Sequence, residues 1–246
     1  MTTNQNFIFL TEVESTNNYA NHLVLSKAAG HGTVVLAQYQ KMGKGQHGNH
    51  WESETGKNLL MSVIILPQFL PAAKQFYLSK IASLALAGFI TNETAEVKIK
   101  WPNDIYAGNK KLAGILIENS IKGNHIGSSI IGIGLNLNQE RFVSDAPNPV
   151  SLKQITGKDY IVEEVALKIW DLLSFWFEKL QAGSFEEIGS SYFNQLFRAN
   201  EWALFSKEGK PFEARINGIG EFGQLILEER NGVFSEFMFK EIEFVI

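Results

Sequence analysis

The chain has 246 residues, 45% of them apolar and 20% charged, with a formal net charge of −4 and no cysteine. That composition builds one large domain, or a mid-sized one with a small companion, and rules out wholesale disorder. The acidic balance argues against a nucleic-acid binder, whose affinity rests on neutralising phosphates, and the missing cysteines exclude disulfides, thiolate nucleophiles and cysteine-held zinc, which fits a reducing, cytoplasmic setting.

Residues 1–10 carry no basic run before a long apolar core, so no signal peptide is expected. No apolar run approaches the ~20 residues of a membrane helix. The longest, residues 76–90, contains Lys80 and two serines and reads as a buried amphipathic helix.

In chain order, residues 7–10 read as a short strand. Ser15 or Thr16 then caps a helix running to about Ala29 and stopping near Gly30. Residues 33–39 are β-branched and apolar, a strand. Residues 41–54 show no apolar period and form a loop, and residues 58–66 are a second strand closed by Pro67. A helix is expected over 71–91 and a strand over 97–100, ending at Trp101-Pro102. A strand, tight turn and strand follow over 105–118, then a turn over 121–124 and a long strand over 125–137. The centre is thus a β-meander. Helices are expected over 151–155, 162–181 and 185–197. After Arg198 come only short strands, over 201–205, 212–219, 224–227 and 234–239, separated by glycine-containing turns. The fold class is α+β: a mixed, mainly antiparallel sheet flanked by helices over residues 1–197, then a small β-barrel cap over 198–246.

Four segments carry candidate chemistry. The loop Gly43-Lys44-Gly45-Gln46-His47-Gly48-Asn49-His50-Trp51 brings backbone N–H groups and a cation together, as an anion needs. It is neither a P-loop nor a dinucleotide fingerprint, because no helix follows. The second segment is Lys100-Trp101-Pro102-Asn103-Asp104 followed by Lys110-Lys111-Leu112-Ala113-Gly114. Residues 98–111 hold four lysines against one aspartate in an acidic chain. A solvated hairpin explains charges alone, but Lys111 opens an apolar strand beside Gly114, a place of close approach. Glu14-Ser15-Thr16-Asn17-Asn18 reads by itself as a helix cap. Gly132-Ile133-Gly134-Leu135-Asn136 reads as a strand whose glycines admit a ligand or another backbone. No catalytic triad and no two-histidine metal spacing stands out, so a protein-held metal is not expected.

Together and in this order, Ser15-Thr16-Asn17, Gln38, the glycine loop to Trp51, Lys100 to Asp104, Lys111-Leu112-Ala113-Gly114-Ile115 and Gly132 to Asn136 resemble the catalytic region of biotin–protein ligases, over about residues 7–140. The loop departs from the family's arginine-rich pattern, with Lys44, Gln46 and Asn49 where arginines stand. Lys44 keeps the charge without the bidentate fork. Because the motif begins by Glu14, no N-terminal helix-turn-helix is expected.

The resemblance implies activation of biotin by ATP to biotinyl-5′-adenylate, then transfer to a lysine of a biotin carboxyl carrier domain. It implies that Lys111, Asp104 and Lys44 do the chemistry. Biotin would meet Ser15, Thr16, Asn17, Gln38, Lys44, Gly45, Gln46, Lys111, Gly114 and Ile115. ATP and the adenylate would meet Gly43, Lys44, Gln46, Trp51, Asn103, Lys111 and Asn136. Magnesium would ride mainly on the phosphates, the C-terminal cap would be SH3-like, and a homodimer paired through sheet edges is conceivable. The rivals are a lipoate or octanoate ligase of the same superfamily, a non-catalytic biotin- or nucleotide-sensing module, and a DNA-binding repressor. The polar trio Ser15, Thr16 and Gln38 favours a ureido ring over a bare aliphatic chain.

Overall fold

The computed structural model describes residues 6–143 and 148–245, apart from the His47 side chain. Its main layer is a seven-stranded sheet. In chain order the strands are β1 (Phe7–Val13), β2 (Val34–Gln40), β3 (Leu59–Ile65), β4 (Val97–Lys100), β5 (Asp104–Ala107), β6 (Lys110–Lys122) and β7 (His125–Leu135), and their spatial order is β1-β2-β3-β7-β6-β5-β4. Every neighbouring pair is antiparallel except β1 and β2. That parallel pair is joined through α1 (Thr16–Leu25), since a parallel pair needs a crossover rather than a hairpin.

The two faces of the sheet are covered unequally. Along β2 and β3, Val34, Leu36, Met61, Val63 and Ile65 join the main core, while the alternate residues Val35 and Ile64 join a separate cluster with Ala20 of α1. On the first face lie α2 (Phe76–Thr91), α4 (Val162–Gln181) and α5 (Phe185–Asn194). α4 buries Val165, Ile169, Leu173, Phe177 and Leu180 along one stripe, as an amphipathic helix must. α2 is buried on nearly every side, between the sheet and the outer helices. The second face is covered by α1 beside β2, β3 and β7. Farther along it, β6 and β7 carry Gly114, Gly132 and Gly134 in place of side chains, and there the cleft described below opens.

A short helix α3 (Leu152–Thr156) is closed at its start by a capping box between Ser151 and Gln154. Strands β8 (Trp202–Lys207), β9 (Lys210–Ile219), β10 (Leu225–Glu229), β11 (Phe234–Phe237) and β12 (Glu243–Phe244) form a five-stranded antiparallel sheet ordered β11-β10-β9-β8-β12. It shares the main core: Phe205, Ile216, Leu227 and Phe237 belong to the same cluster as the buried residues of α2 and β3. Phe239 packs on Trp101 and Phe76 at ring distances of 5.1 and 6.3 Å, and Trp101 Nε1 donates to the Gly223 carbonyl at 2.8 Å.

The expected elements return with shifted ends. The first helix stops at Leu25 instead of reaching Ala29, because Lys27 takes φ 56° and its amide and that of Ala28 bond back to Val24 O and Leu23 O. This is a Schellman stop without its usual glycine, so the sequence shows no signal for it. β6 runs to Lys122, beyond the expected Glu118, because its pairing with β7 continues to a tight turn at Gly123. The two-residue β12 carries too short a pattern to read in advance.

Candidate active site

A cleft of about 250 Å³ opens over the glycine-lined part of the sheet, between the N-terminal end of α1, the loop 43–51, the start of β6 and the turn at Phe239-Lys240. Its deeper end is polar. Ser15, Thr16 and Asn17 are buried there at the start of α1. Ser15 occupies the N-cap position, makes no side-chain cap hydrogen bond and lines the cleft. The Thr16 amide and hydroxyl both donate to Gln40 Oε1, at 2.7 and 3.0 Å. The buried Ser62 hydroxyl lies 2.7 Å from Thr16 Oγ1 and 2.6 Å from Asn17 Oδ1. Asn17 Nδ2 donates to Glu118 Oε2 at 2.8 Å and to Leu116 O at 3.3 Å. A Cβ on Gly132 would collide with Asn17 Oδ1, so that glycine is what seats the asparagine.

The middle of the cleft is ionic. Lys111 Nζ stands 2.7 Å from Asp104 Oδ1, with both side chains about three-quarters or more covered, at 24% and 19% exposure. The contact is electrostatic, since Oδ1 receives no donor in hydrogen-bonding geometry. Backbone design places the lysine. The β5–β6 register jumps from Ile105↔Ala113 to Tyr106↔Lys111, a bulge at Leu112, and bulges re-aim neighbouring side chains. The Lys111 backbone also bonds to the segment behind it, through Lys111 N to Asn148 O and Val150 N to Lys111 O, each 2.9 Å.

Beside the pair, Lys100 faces Asp104 across the β4–β5 register. Burial lowers its pKa, Asp104 pulls it back up, and Lys111 and Arg198 lower it further. The Lys100 ammonium donates to Tyr106 Oη at 3.3 Å. Burial, with the negative Asp104 adding, pushes the Tyr106 phenol up to about 12.

The outer wall is the glycine loop, held by its own backbone: Gly45 N bonds to Asn49 O at 2.7 Å and Trp51 N to Gly43 O at 2.9 Å. Lys44 reaches back to Asn18 Oδ1 at 2.6 Å. Trp51 lies flat against the sheet glycines. A Cβ at Gly134 would sit 2.5 Å from its indole and one at Gly114 3.1 Å. Its Nε1 is buried without a partner among the described residues, and the Lys111 ammonium stands 5.9 Å from its ring centre.

Of the residues expected from sequence, Ser15, Thr16, Asn17, Lys44, Gly45, Gln46, Trp51, Asn103, Asp104, Lys111, Gly114 and Ile115 line this one cleft. Gly43 shapes the loop: a Cβ there would sit 2.5 Å from Trp51 O, and its carbonyl accepts from Trp51 N. Two expected residues lie elsewhere. Gln38 is exposed and faces a different hollow beside Phe9 and Tyr160, while Gln40, two positions on, takes the place at Thr16. β2 pairs with β3 only as far as Leu36 and continues beside β1 alone, so the alternation of its buried half does not predict the face of its end. Asn136 does not line the cleft either. Its Nδ2 donates to Val150 O at 3.1 Å and so braces the segment that holds Lys111. Sequence reasoning also missed Ser62, which sits unremarkably in an apolar strand, and Phe239 and Lys240, which only the packing of the second sheet brings to the cleft.

Among the described residues no group of three or more His, Cys, Asp or Glu is placed to hold a metal ion, and no helix is long and apolar enough to cross a membrane.

The sequence matches the biotin/lipoate A/B protein ligase family over residues 9–136. It is 29% identical over 224 residues to the biotin–[acetyl-CoA-carboxylase] ligase of Paracoccus denitrificans, covering 89% of this chain and 92% of that one. It is 34% identical over 160 residues to the bifunctional ligase/repressor BirA of Bacillus subtilis strain 168, covering 63% and 48%; the chain thus spans about half the length of that relative. Among solved structures, the biotin protein ligase from Aquifex aeolicus in complex with biotin and ATP superposes with a TM-score of 0.78 at 27% identity, over 97% of this chain and 98% of that one.

Proposed function

The chain belongs to the biotin/lipoate A/B protein ligase family, and from that premise we propose that it activates biotin with ATP and transfers the biotinyl group to a lysine of a carrier domain like that of acetyl-CoA carboxylase. One observation carries the reading: a paired lysine and aspartate, Lys111 and Asp104, stand in the same cleft whose deeper end is a buried array of hydrogen-bonding side chains. A ureido ring suits the array, and the acid at the other end of the molecule then reaches the ammonium.

In the first step a biotin carboxylate oxygen attacks the α-phosphorus of ATP. The bond from that phosphorus to the bridging oxygen breaks and pyrophosphate leaves. Two anions must be held together while charge shifts onto phosphoryl oxygens, and a fixed cation gains most where charge develops. Lys111 takes that role. Lys44 and the Gln46 amide assist on the same phosphates, and Trp51 covers the adenine. In the second step a neutral lysine amine of the carrier attacks the mixed anhydride and AMP leaves with the bonding electrons. The amine's proton passes to Asp104, the carboxylate that stands beside Lys111. Among the described residues Asp104 is the one carboxylate lining the cleft, so a magnesium ion accompanying ATP would be held chiefly by the phosphates. The absence of cysteine fits a reducing, cytoplasmic location, and the strands after Arg198 act as a cap, contributing Phe239 and Lys240 to the cleft mouth.

The test is mass spectrometry of a carrier domain incubated with the protein, ATP, magnesium and biotin or lipoate. Addition of a biotinyl group, and its loss in a folded Lys111→Ala variant together with at least a hundredfold slower pyrophosphate release (on the order of one removed electrostatic contact), is the expected result. Lipoyl addition without biotinyl addition, or normal pyrophosphate release from Lys111→Ala, refutes the reading.

A further inference from the structure

Glu118 lies on β6 beyond the residues that line the cleft, and no step above uses it. Its carboxylate accepts from Asn17 Nδ2 at 2.8 Å, and the Leu116 carbonyl accepts from the same nitrogen at 3.3 Å. An ionised carboxylate has acceptors only, so it binds the nitrogen end of the Asn17 amide and turns the oxygen end away. That oxygen then stands over Gly132 and 2.6 Å from the buried Ser62 hydroxyl.

The protons in this cluster can be followed. The Thr16 hydroxyl donates to Gln40 Oε1 at 3.0 Å. The Ser62 hydroxyl has a single proton, and two acceptors lie within reach, Asn17 Oδ1 and Thr16 Oγ1 at 2.6 and 2.7 Å. One of the two oxygens therefore keeps an open acceptor site, among the described residues, at the buried end of the cleft. A ligand N–H meets that demand. A cyclic urea carries N–H groups on both sides of its carbonyl, whereas a dithiolane or an alkyl head carries none.

We propose that Glu118 is a positioning residue for head-group selection: by holding Asn17 with its oxygen toward the cleft, it makes the deep end require an N–H donor and so favours a ureido-bearing acid over acids with apolar heads. This rests on the activation of biotin proposed above. In Glu118→Gln the shape is kept, but the new amide offers a donor as well as an acceptor, so the orientation of Asn17 is no longer enforced.

The experiment measures pyrophosphate release with biotin and with octanoate for the wild type, Glu118→Gln, Glu118→Asp, Asn17→Ala and the Asn17→Ala/Glu118→Gln pair, with melting temperatures to check folding. Glu118→Gln raises the KM for biotin about tenfold and leaves the KM for ATP and kcat within about twofold. It narrows the preference for biotin over octanoate. Glu118→Asp, still acceptor-only, regains most of the loss. In the Asn17→Ala background Glu118→Gln adds less than about twofold, because its effect runs through Asn17. A fully additive double variant, a loss falling on kcat and the KM for ATP alike, or a Glu118→Gln protein indistinguishable from wild type overturns the inference while the wild-type activity stands. A wild type that makes no biotinyl-adenylate overturns the proposed function itself, and this inference with it.

Discussion

Gln38 and Gln40 differ by two positions on one strand, yet only Gln40 touches the helix start. Gln40→Ala removes the acceptor for both the amide and the hydroxyl of Thr16, at 2.7 and 3.0 Å. Each lost hydrogen bond is worth about 0.5–1.5 kcal/mol, so the KM for biotin rises roughly tenfold. Gln38→Ala, on an exposed site beside another hollow, changes it by less than about twofold. Steady-state titration of biotin at fixed ATP checks both. Equal effects from the two variants would mean that the glutamine nearer the strand centre reaches the ligand after all. The residue types at Ser15, Thr16, Asn17, Asp104 and Lys111 were legible because their order and spacing are specific. Which glutamine joins them was not, because the end of β2 has lost the partner strand that fixes facing.

At the scale of elements, the glycines of β6 and β7 decide what the sheet carries on its cleft face. From sequence, Gly132 and Gly134 mark close approach without saying of what. The structure supplies the partners, Asn17 and Trp51. Gly134→Ala puts a methyl 2.5 Å from the Trp51 indole, and neither residue has room to yield without moving the loop 43–51. Overpacking of this kind costs about 1–3 kcal/mol. The expected outcome is a lower melting temperature and a KM for ATP raised more than the KM for biotin, since Trp51 is the proposed cover of the adenine. Kinetics with each substrate varied in turn reads this directly, and an effect on biotin alone would remove Trp51 from the nucleotide side. Helix α4 and strand β4 fall on the expected residues, because long amphipathic stripes and a strand bounded by Trp101-Pro102 are set by local pattern. The stop of α1 is not, because it rests on a lysine in a left-handed turn.

For the whole molecule, buried residues of the second sheet belong to the same core cluster as those of the first. The second sheet's closing strand β12 brings Phe244 within 5.3 Å of the Lys100 ammonium, which also lies 5.0 Å from the Tyr106 ring. This junction gives the protein an alkaline signature. Tyr106 holds its proton to about 12, against an ordinary value of 10. Between those pH values the native state binds a proton that the unfolded state has lost, so the contribution of Tyr106 to stability is present below pH 10 and is lost as the pH rises toward 12. Lys100 acts the other way: its lowered pKa means that the native state sheds a proton first, and stability rises with pH in the window below 10.5. Melting temperatures measured from pH 9 to 12 should rise or hold at first and fall above pH 10, and Tyr106→Phe should flatten part of the fall. An unchanged slope in that variant would show that Tyr106 ionises as freely in the native state as in the unfolded one.

The sequence by itself determined the fold class, the family and most of the expected residues that line the cleft, because hydrophobic period, turn chemistry and motif spacing are local properties carried along the chain. The tertiary structure alone decided that Gln40 rather than Gln38 reaches the helix start, that Asn136 braces the Lys111 segment from behind, that Ser62 and Glu118 meet Asn17, and that Phe239 lines the cleft. Each of those facts is a meeting of residues far apart in the chain, and only strand register and packing decide which side chains share the same few cubic ångströms.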